Sequence, residues 1–320
     1  DLVMCSLRLL EVSKPIISQE YNIMLQEADK IINLSTGDKE KAVEIYKKFA
    51  AQGNMYAIAG LGLCYCYAQG IECDIKKGIE LIKKAINAGN PKGYNAMGVC
   101  YKRGIGVERN LEKSVEYFFS SAKLGFAAGQ YNLGVAFFTG KGISIDYKKS
   151  VLWLEKAVKQ DCDTAFEYLG RCYREGKGVT KNLIKAFELT KYAASQGYAK
   201  AQFILGLCYA NGTGVRQNNK EAVYWYRKSA NQGYANAQNN LGNCYKYGKG
   251  CEKSLELAVD LFLKSSEQGN IKAFCNLAIC YEEGTGVEKN IETAIAYYRK
   301  AANQGDKFSK EKLMKLEQNK

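Results

Sequence analysis

The sequence predicts an all-α fold, a solenoid of about seven 36-residue helix-turn-helix repeats with a diverged capping helix at each end. Three observations predict it. A landmark, LGLCY or a close variant, recurs along the chain. Its glycine column reads Gly62, Gly98, Gly134, Gly170, Gly206 and Gly242, closed by Ala278, at a constant spacing of 36 residues. Only 2 prolines occur in 320 residues, which leaves helices unbroken. Hydrophobic residues at 47% and charged residues at 25% fit a packed globular chain and exclude bulk disorder.

Each copy resolves into two helices. The first carries Ala57, Leu61 and Tyr65, spaced i, i+4, i+8 and so on one helical face. The same stripe recurs from Gly93/Met97/Tyr101 through to Ala273/Leu277/Tyr281. A break follows at Gly104-Ile105-Gly106-Val107, matched at Gly140/Gly142, Gly176/Gly178, Gly212/Gly214, Gly248/Gly250 and Gly284/Gly286, while the first copy keeps only Gly70. Glycine just past a helix supplies the left-handed conformation that stops it. The second helix is announced by Asp38, Asp74, Asn110, Asp146, Asn182, Asn218, Ser254 and Asn290, all strong N-cap types in one register. Four places on stands a small residue: Ala42, Gly78, Ser114, Ser150, Ala186, Ala222, Ala258 or Ala294. A mid-helix glycine costs about 1 kcal/mol relative to alanine, so the Gly62 column demands close backbone contact between helices.

The ends follow the same register. Residues 38–305 hold the repeats, beginning with a lone second helix over 38–53. Residues 1–37 form an N-terminal flank and a diverged partner helix, with Tyr21 and Leu25 in the register of Ala57 and Leu61. Residues 306–320 form a polar capping helix in which Leu313 keeps the Leu61 register while Ser309 and Glu317 replace Ala and Tyr. No helix pair can bury its apolar stripe alone; stacking creates a continuous core.

Composition bounds the chemistry. The absence of His removes the usual triad base, the commonest metal ligand and the ordinary pH switch. The uncharged stretch 55–71 is too short and glycine-rich to cross a membrane, so no membrane insertion is expected. Residues 1–10 lack a positive n-region and a small-residue cleavage site. Opening on Asp1 rather than Met, the chain reads as a fragment of something longer. The net charge of +13 favours acidic partners. No basic run interleaves with aromatics, so the excess lysine reads as solvent-facing helix surface rather than a nucleic-acid footprint.

Six of the 12 cysteines, Cys64, Cys100, Cys172, Cys208, Cys244 and Cys280, stand just before the repeated aromatic position. Packed helices lie about 8–10 Å apart, whereas a disulfide needs Cα atoms within about 7 Å. The ladder therefore serves packing. No CxxC occurs, and Cys64-Tyr65-Cys66 points to different faces of a helix, so no metal and no cofactor is expected. Ser120–Lys123 and Ser309–Lys312 both spell SxxK but lack the companion SDN and KTG motifs, and both fall inside predicted helices. The Gly-Lys-Gly turns at Gly140, Gly176 and Gly248 follow no strand and match no phosphate-binding loop. Asn33-Leu34-Ser35 and Asn211-Gly212-Thr213 are sequons that matter only in a secretory pathway.

The pattern A-x-x-x-LG-x-x-Y-x-x-G-x-GV-x-x-N-x-x-x-A-x-x-(W/Y)-(Y/F)-x-KAA-x-QG, nearly complete over 201–233, resembles the Sel-1-like repeat family. Departures are Ala68 for the first turn glycine, Cys251 for the turn valine and Asp161 for a helix-ending glycine. The resemblance implies a right-handed superhelix whose first helices line the concave side, working as a non-enzymatic protein-binding adaptor. A secreted cysteine-rich branch of that family has members linked to β-lactam binding, which makes a hydrolase or β-lactam-binding protein the alternative. There, cysteines pair across the end of one repeat and the start of the next. The first of those positions here reads Ala50, Ile86, Ala122, Val158, Ala194, Ala230, Ser266 and Ala302, so a reducing, cytoplasmic location is favoured over a secreted or lumenal one.

With Ala57, Leu61 and Tyr65 facing the core, a helical wheel puts positions 59, 63 and 66 on the free face. Later repeats carry there Asn95/Val99/Lys102, Tyr131/Val135/Phe138, Glu167/Arg171/Arg174, Phe203/Leu207/Ala210 and Asn239/Asn243/Lys246. Apolar residues on an exposed helix face mark contact surfaces. The expected site is a concave groove with anchor pockets at Val99, Tyr131, Val135, Phe138, Phe203 and Leu207, cations at Lys102, Arg171, Arg174 and Lys246, and amides at Asn239 and Asn243. It would suit a protein or peptide with acidic and apolar residues; the sequence defines no oligomeric state.

Overall fold

The computed structural model describes residues 16–33 and 38–318 as 17 α-helices, with no strand among the described residues. The segment 1–10, most of the Asn33-Leu34-Ser35 sequon and the side chain of Tyr21 lie outside the described residues. The helices in chain order are α1 (Ile16–Asn33), α2 (Lys39–Ala51), α3 (Met55–Tyr67), α4 (Ile75–Asn87), α5 (Pro91–Arg103), α6 (Leu111–Lys123), α7 (Ala127–Thr139), α8 (Tyr147–Val158) and α9 (Asp163–Glu175). There follow α10 (Leu183–Ser195), α11 (Ala199–Asn211), α12 (Asn219–Asn231), α13 (Ala235–Tyr247), α14 (Leu255–Glu267), α15 (Ile271–Glu283), α16 (Ile291–Asn303) and α17 (Lys307–Gln318). The chain divides into two compact units, residues 1–165 and 166–320. In the first unit consecutive helices from α1 to α8 pack on one another, and the first helices of successive pairs, α3, α5 and α7, also touch. In the second unit consecutive packing runs from α10 to α17.

Local chemistry builds each pair. All eight expected N-caps act as such: Asp38, Asp74, Asn110, Asp146, Asn182, Asn218, Ser254 and Asn290 each accept a backbone N–H from the first turn. From the second of these onward, the cap's own N–H donates back to the carbonyl of the repeated aromatic, as in Asn110 to Tyr101 and Asn290 to Tyr281, both within 3.0 Å. The turn is thus tied at both ends. Ala68 and Asp161, where the sequence departs from glycine, still adopt left-handed φ of 52° and 55°.

The glycine column meets the small-residue column of the same pair. A Cβ added at Gly62 would lie 2.8 Å from the Gly78 carbonyl oxygen, and one at Gly206 would lie 2.6 Å from the Tyr226 ring. Ser114 and Ser150 donate their hydroxyls to the Gly98 and Gly134 carbonyls at 2.7 and 2.8 Å. Ala278 closes the column, buried beside Tyr298. Gly170 is the exception, its nearest neighbours lying at 3.7 Å because Thr190 stands where other repeats carry a large side chain.

Polar clasps join successive pairs. The Gln160 amide donates to the Gly125 carbonyl and the Gln130 amide oxygen, both at 2.9 Å. In the second unit Gln232 repeats this toward Gly197 and Gln202, at 2.8 Å each. The ladder cysteines pack as expected, five buried and Cys244 half-buried.

Candidate functional site

A first helix packs against its own partner and against the first helices of neighbouring pairs, so its open stripe is narrower than a helical wheel implies. Ala59 and Cys66, expected on the free face, are buried instead at 0% and 5% exposure. Ala59 is covered beside Ile58 and Ala85, and Cys66 beside Ile79 and Met97. In the first unit the stripe that stays open runs through Leu63 and Tyr67 on α3 and Val99 and Arg103 on α5. These residues, with Asp29 and Ile32 of α1, Lys92 of α5 and Phe126, line a cavity of about 340 Å³.

The cavity floor holds a buried charge. Lys92 Nζ lies 2.5 Å from Asp29 Oδ1, with 7% of its side chain exposed against 28% for Asp29. The Tyr46 and Tyr56 hydroxyls donate to the two oxygens of the same carboxylate. The ammonium also sits over both rings, 4.8 Å from the Tyr46 centroid and 3.9 Å from that of Tyr56. Gly60 makes room for this cluster, since a Cβ there would fall 2.8 Å from the Tyr46 ring and 3.1 Å from Lys92 Nζ. Burial lowers the proton affinity of Lys92, with Asp29 opposing the shift. Burial first, and the Asp29 charge second, push the Tyr46 and Tyr56 hydroxyls well above the usual phenol range.

The mouth is cationic. Tyr67 presents a buried hydroxyl oxygen without a hydrogen-bond partner. The Arg103 guanidinium lies over its ring, 5.3 Å from the centroid. Beside it, Lys102 has its proton affinity lowered by burial and then by repulsion from Arg103 and Lys141.

The sequence-derived candidates are distributed unevenly. Val99 lines the cavity, whereas Lys102, next to Arg103 on the same helix, is exposed and is not part of the lining. Tyr131 and Val135 remain half-exposed on α7, whereas Phe138 is buried, edge-on to Tyr147 at 5.5 Å. In the second unit Arg171 is exposed and ion-paired with Glu175 at 2.6 Å, while Arg174 is half-exposed. Phe203 and Leu207 are half-buried against the α12–α13 core, Phe203 lying 5.3 Å from the Tyr234 ring. Asn239 is buried and accepts the Asn276 amide at 2.8 Å; Asn243 and Lys246 are half-exposed. Phe138 and Asn239 are therefore corrected from open lining to packing positions, because the neighbouring elements that cover them lie outside a single-helix wheel.

Asp29, Tyr46, Tyr67, Lys92 and Arg103 were not among the expected residues. One signal existed: Asp29 occupies the register of Tyr65, a column that is otherwise aromatic from Tyr65 to Tyr281. Lys92 gave none, since Lys200 and Lys272 share its register.

Elsewhere the chemistry is quiet. Ser120 of the first SxxK donates to the Glu116 carbonyl of its own helix, and Ser309 of the second is fully buried. Among the described residues no group of carboxylates and thiols could hold a metal ion, and no helix is long and apolar enough to cross a membrane.

Comparison with known families and structures bears on the repeat and the fold. The Sel1 repeat matches eight segments, 34–54, 56–90, 91–126, 127–162, 165–198, 199–234, 235–270 and 272–306. The first of these corresponds to the lone leading second helix, so seven full repeats follow it. Among solved structures, a protective antigen present in uropathogenic Escherichia coli strains, displaying an SLR fold, is 32% identical with a TM-score of 0.69. That match covers 92% of this chain but only 64% of the antigen, so the chain spans less than two thirds of its length. A Sel1 repeat protein from Oxalobacter formigenes is 31% identical with a TM-score of 0.69, over 76% of this chain and 96% of that one. Comparison with curated proteins gives no match.

Proposed function

The chain belongs to the Sel1 repeat family, whose repeats generally act as protein–protein interaction scaffolds, and from that premise we propose that it is a non-enzymatic adaptor holding partner segments against the open faces of its first helices. The observation that carries this reading is the half-open cavity of the first unit, where Leu63 and Val99 stay accessible beside cationic Arg103. An apolar pocket with a few placed polar groups is the ordinary form of a recognition site. In the second unit the first helices α9 and α11 offer the same chemistry separately, with Arg171 and Arg174 on one and Phe203 and Leu207 on the other. The partner is accordingly a protein or peptide segment with acidic and apolar residues, met in a reducing compartment.

A peptide-display selection tests the reading, run on the full chain and on a Val99→Glu/Arg171→Glu/Arg174→Glu/Phe203→Ala variant whose helicity is checked by circular dichroism. The parent is expected to enrich a motif of acidic and apolar residues that the variant no longer selects. Equal enrichment on both would move partner contact to the second-helix faces and contradict the reading.

A further inference from the structure

The mouth of the first-unit cavity contains groups that the fold itself leaves unused. The Tyr67 hydroxyl oxygen is buried without a partner, and a buried polar atom left unpaired costs stability unless something satisfies it. Arg103, whose guanidinium lies over the Tyr67 ring, has no carboxylate within ion-pair distance among the described residues; neither do Lys102 and Lys141. Lys102 is repelled by both Arg103 and Lys141. Like charges gathered without a counter-ion favour an incoming anion. Leu63, Val99 and Phe126 give the same cavity an apolar wall.

We propose that this mouth is a seat for the acidic side chain of a partner peptide, held by Arg103 and the Tyr67 hydroxyl, with an adjacent aliphatic or aromatic side chain packing on the apolar wall. A guanidinium offers a paired donor geometry that matches a carboxylate, and the phenol adds a donor from the side. Asp29 faces the same cavity with its charge neutralised by Lys92, so the local field suits a monoanion rather than a phosphate dianion. This assignment rests on the adaptor reading and adds to it the identity and position of one contact.

The test uses the full chain and the peptide most enriched on it by display, labelled with fluorescein and titrated by anisotropy. Tyr67→Phe deletes a hydroxyl that has no partner in the fold and Arg103→Gln shortens an exposed side chain, so both variants keep the packing and fold. Each is expected to weaken binding by about tenfold, the ordinary cost of one hydrogen bond to a charged group. Changing the peptide's Glu to Gln should weaken binding to the parent about equally and binding to Arg103→Gln far less, since the same contact is already gone. A peptide that binds regardless of its acid overturns the seat while leaving the adaptor reading intact. So does one whose affinity disappears on C-terminal amidation alone, or one that gains affinity when a phosphoserine replaces the acid. Failure of the parent to enrich any peptide overturns the adaptor reading and the seat with it.

Discussion

Lys92 and Asp29, 63 residues apart in the sequence, meet at 2.5 Å inside the first unit and join the terminal helix α1 to the third first-helix, α5. Two tyrosines complete the cluster, one from α2 and one from α3. The pair therefore fastens the amino-terminal end of the stack through charge as well as apolar contact. A similar device stands at the other end, where Glu282 of α15 takes the Tyr298 hydroxyl at 2.5 Å and Lys312 of α17 at 2.8 Å.

Removing the carboxylate strands the ammonium. Asp29→Ala leaves a buried cation unpaired and two hydroxyls without their acceptor, and should cost about 3 kcal/mol in urea unfolding. Lys92→Met keeps the packing of the stem and leaves Asp29 its two tyrosine donors, so it should cost about 1–2 kcal/mol.

The same pair gives stability a defined pH slope. Burial lowers the proton affinity of Lys92 in the fold, so the folded chain binds fewer protons than the unfolded one. Stability from this group therefore rises with pH toward 10.5, the ordinary lysine value. Unfolding free energies measured well below 10.0, where Tyr46 and Tyr56 keep their protons in both states, should rise more steeply in the parent than in Lys92→Met. Parallel slopes would refute this.

Two glycines in one column should respond oppositely to alanine. At Gly206 the new Cβ meets the Tyr226 ring at 2.6 Å, and overpacking there should cost about 1–3 kcal/mol. At Gly170 nothing lies closer than 3.7 Å, and the gain in helix propensity should stabilise by up to about 1 kcal/mol. Thermal unfolding of the two single variants reads the difference directly.

Ala68 holds a left-handed φ of 52° after α3, a conformation that costs a side-chain-bearing residue about 1–2 kcal/mol. Ala68→Gly should accordingly stabilise the chain by about 1 kcal/mol, although glycine is normally the more costly residue. A lowered melting temperature would show that the turn does not adopt this geometry.

Thiol accessibility offers an independent check. Cys73 is exposed, whereas Cys64, Cys66, Cys100, Cys172, Cys208 and Cys280 are buried. Burial also pushes the Cys64 and Cys172 thiols up to about 11, which suppresses the reactive thiolate. Mass spectrometry after brief native alkylation should find Cys73 modified far ahead of these six.

The repeat period, the eight caps and the glycine contacts were legible in sequence because each depends on residues within one pair. Asn110 caps α6 with its own side chain, and Gly98 meets Phe118 and Ser114 of the next helix. The open face was less legible. Whether Ala59 or Leu63 stays accessible depends on how closely neighbouring first helices lie, which a wheel drawn for one helix does not contain. Leu63 and Val99 were on the expected stripe, but Tyr67 and Arg103 stood one residue beyond positions 66 and 102. Asp29 was visible as an acid in an aromatic column, yet its partner lay 63 residues away among other lysines of the same register.

The central claim is that partners meet the first-helix faces. Site-specific photocrosslinking tests it most directly, with benzoylphenylalanine placed at Val99 and Phe203 on those faces and at Leu152 and Tyr224, which are exposed on second helices. With a biotinylated display-selected peptide as the probe, crosslinked product is expected from position 99 or 203 and not from 152 or 224. Product confined to 152 or 224 would contradict the account.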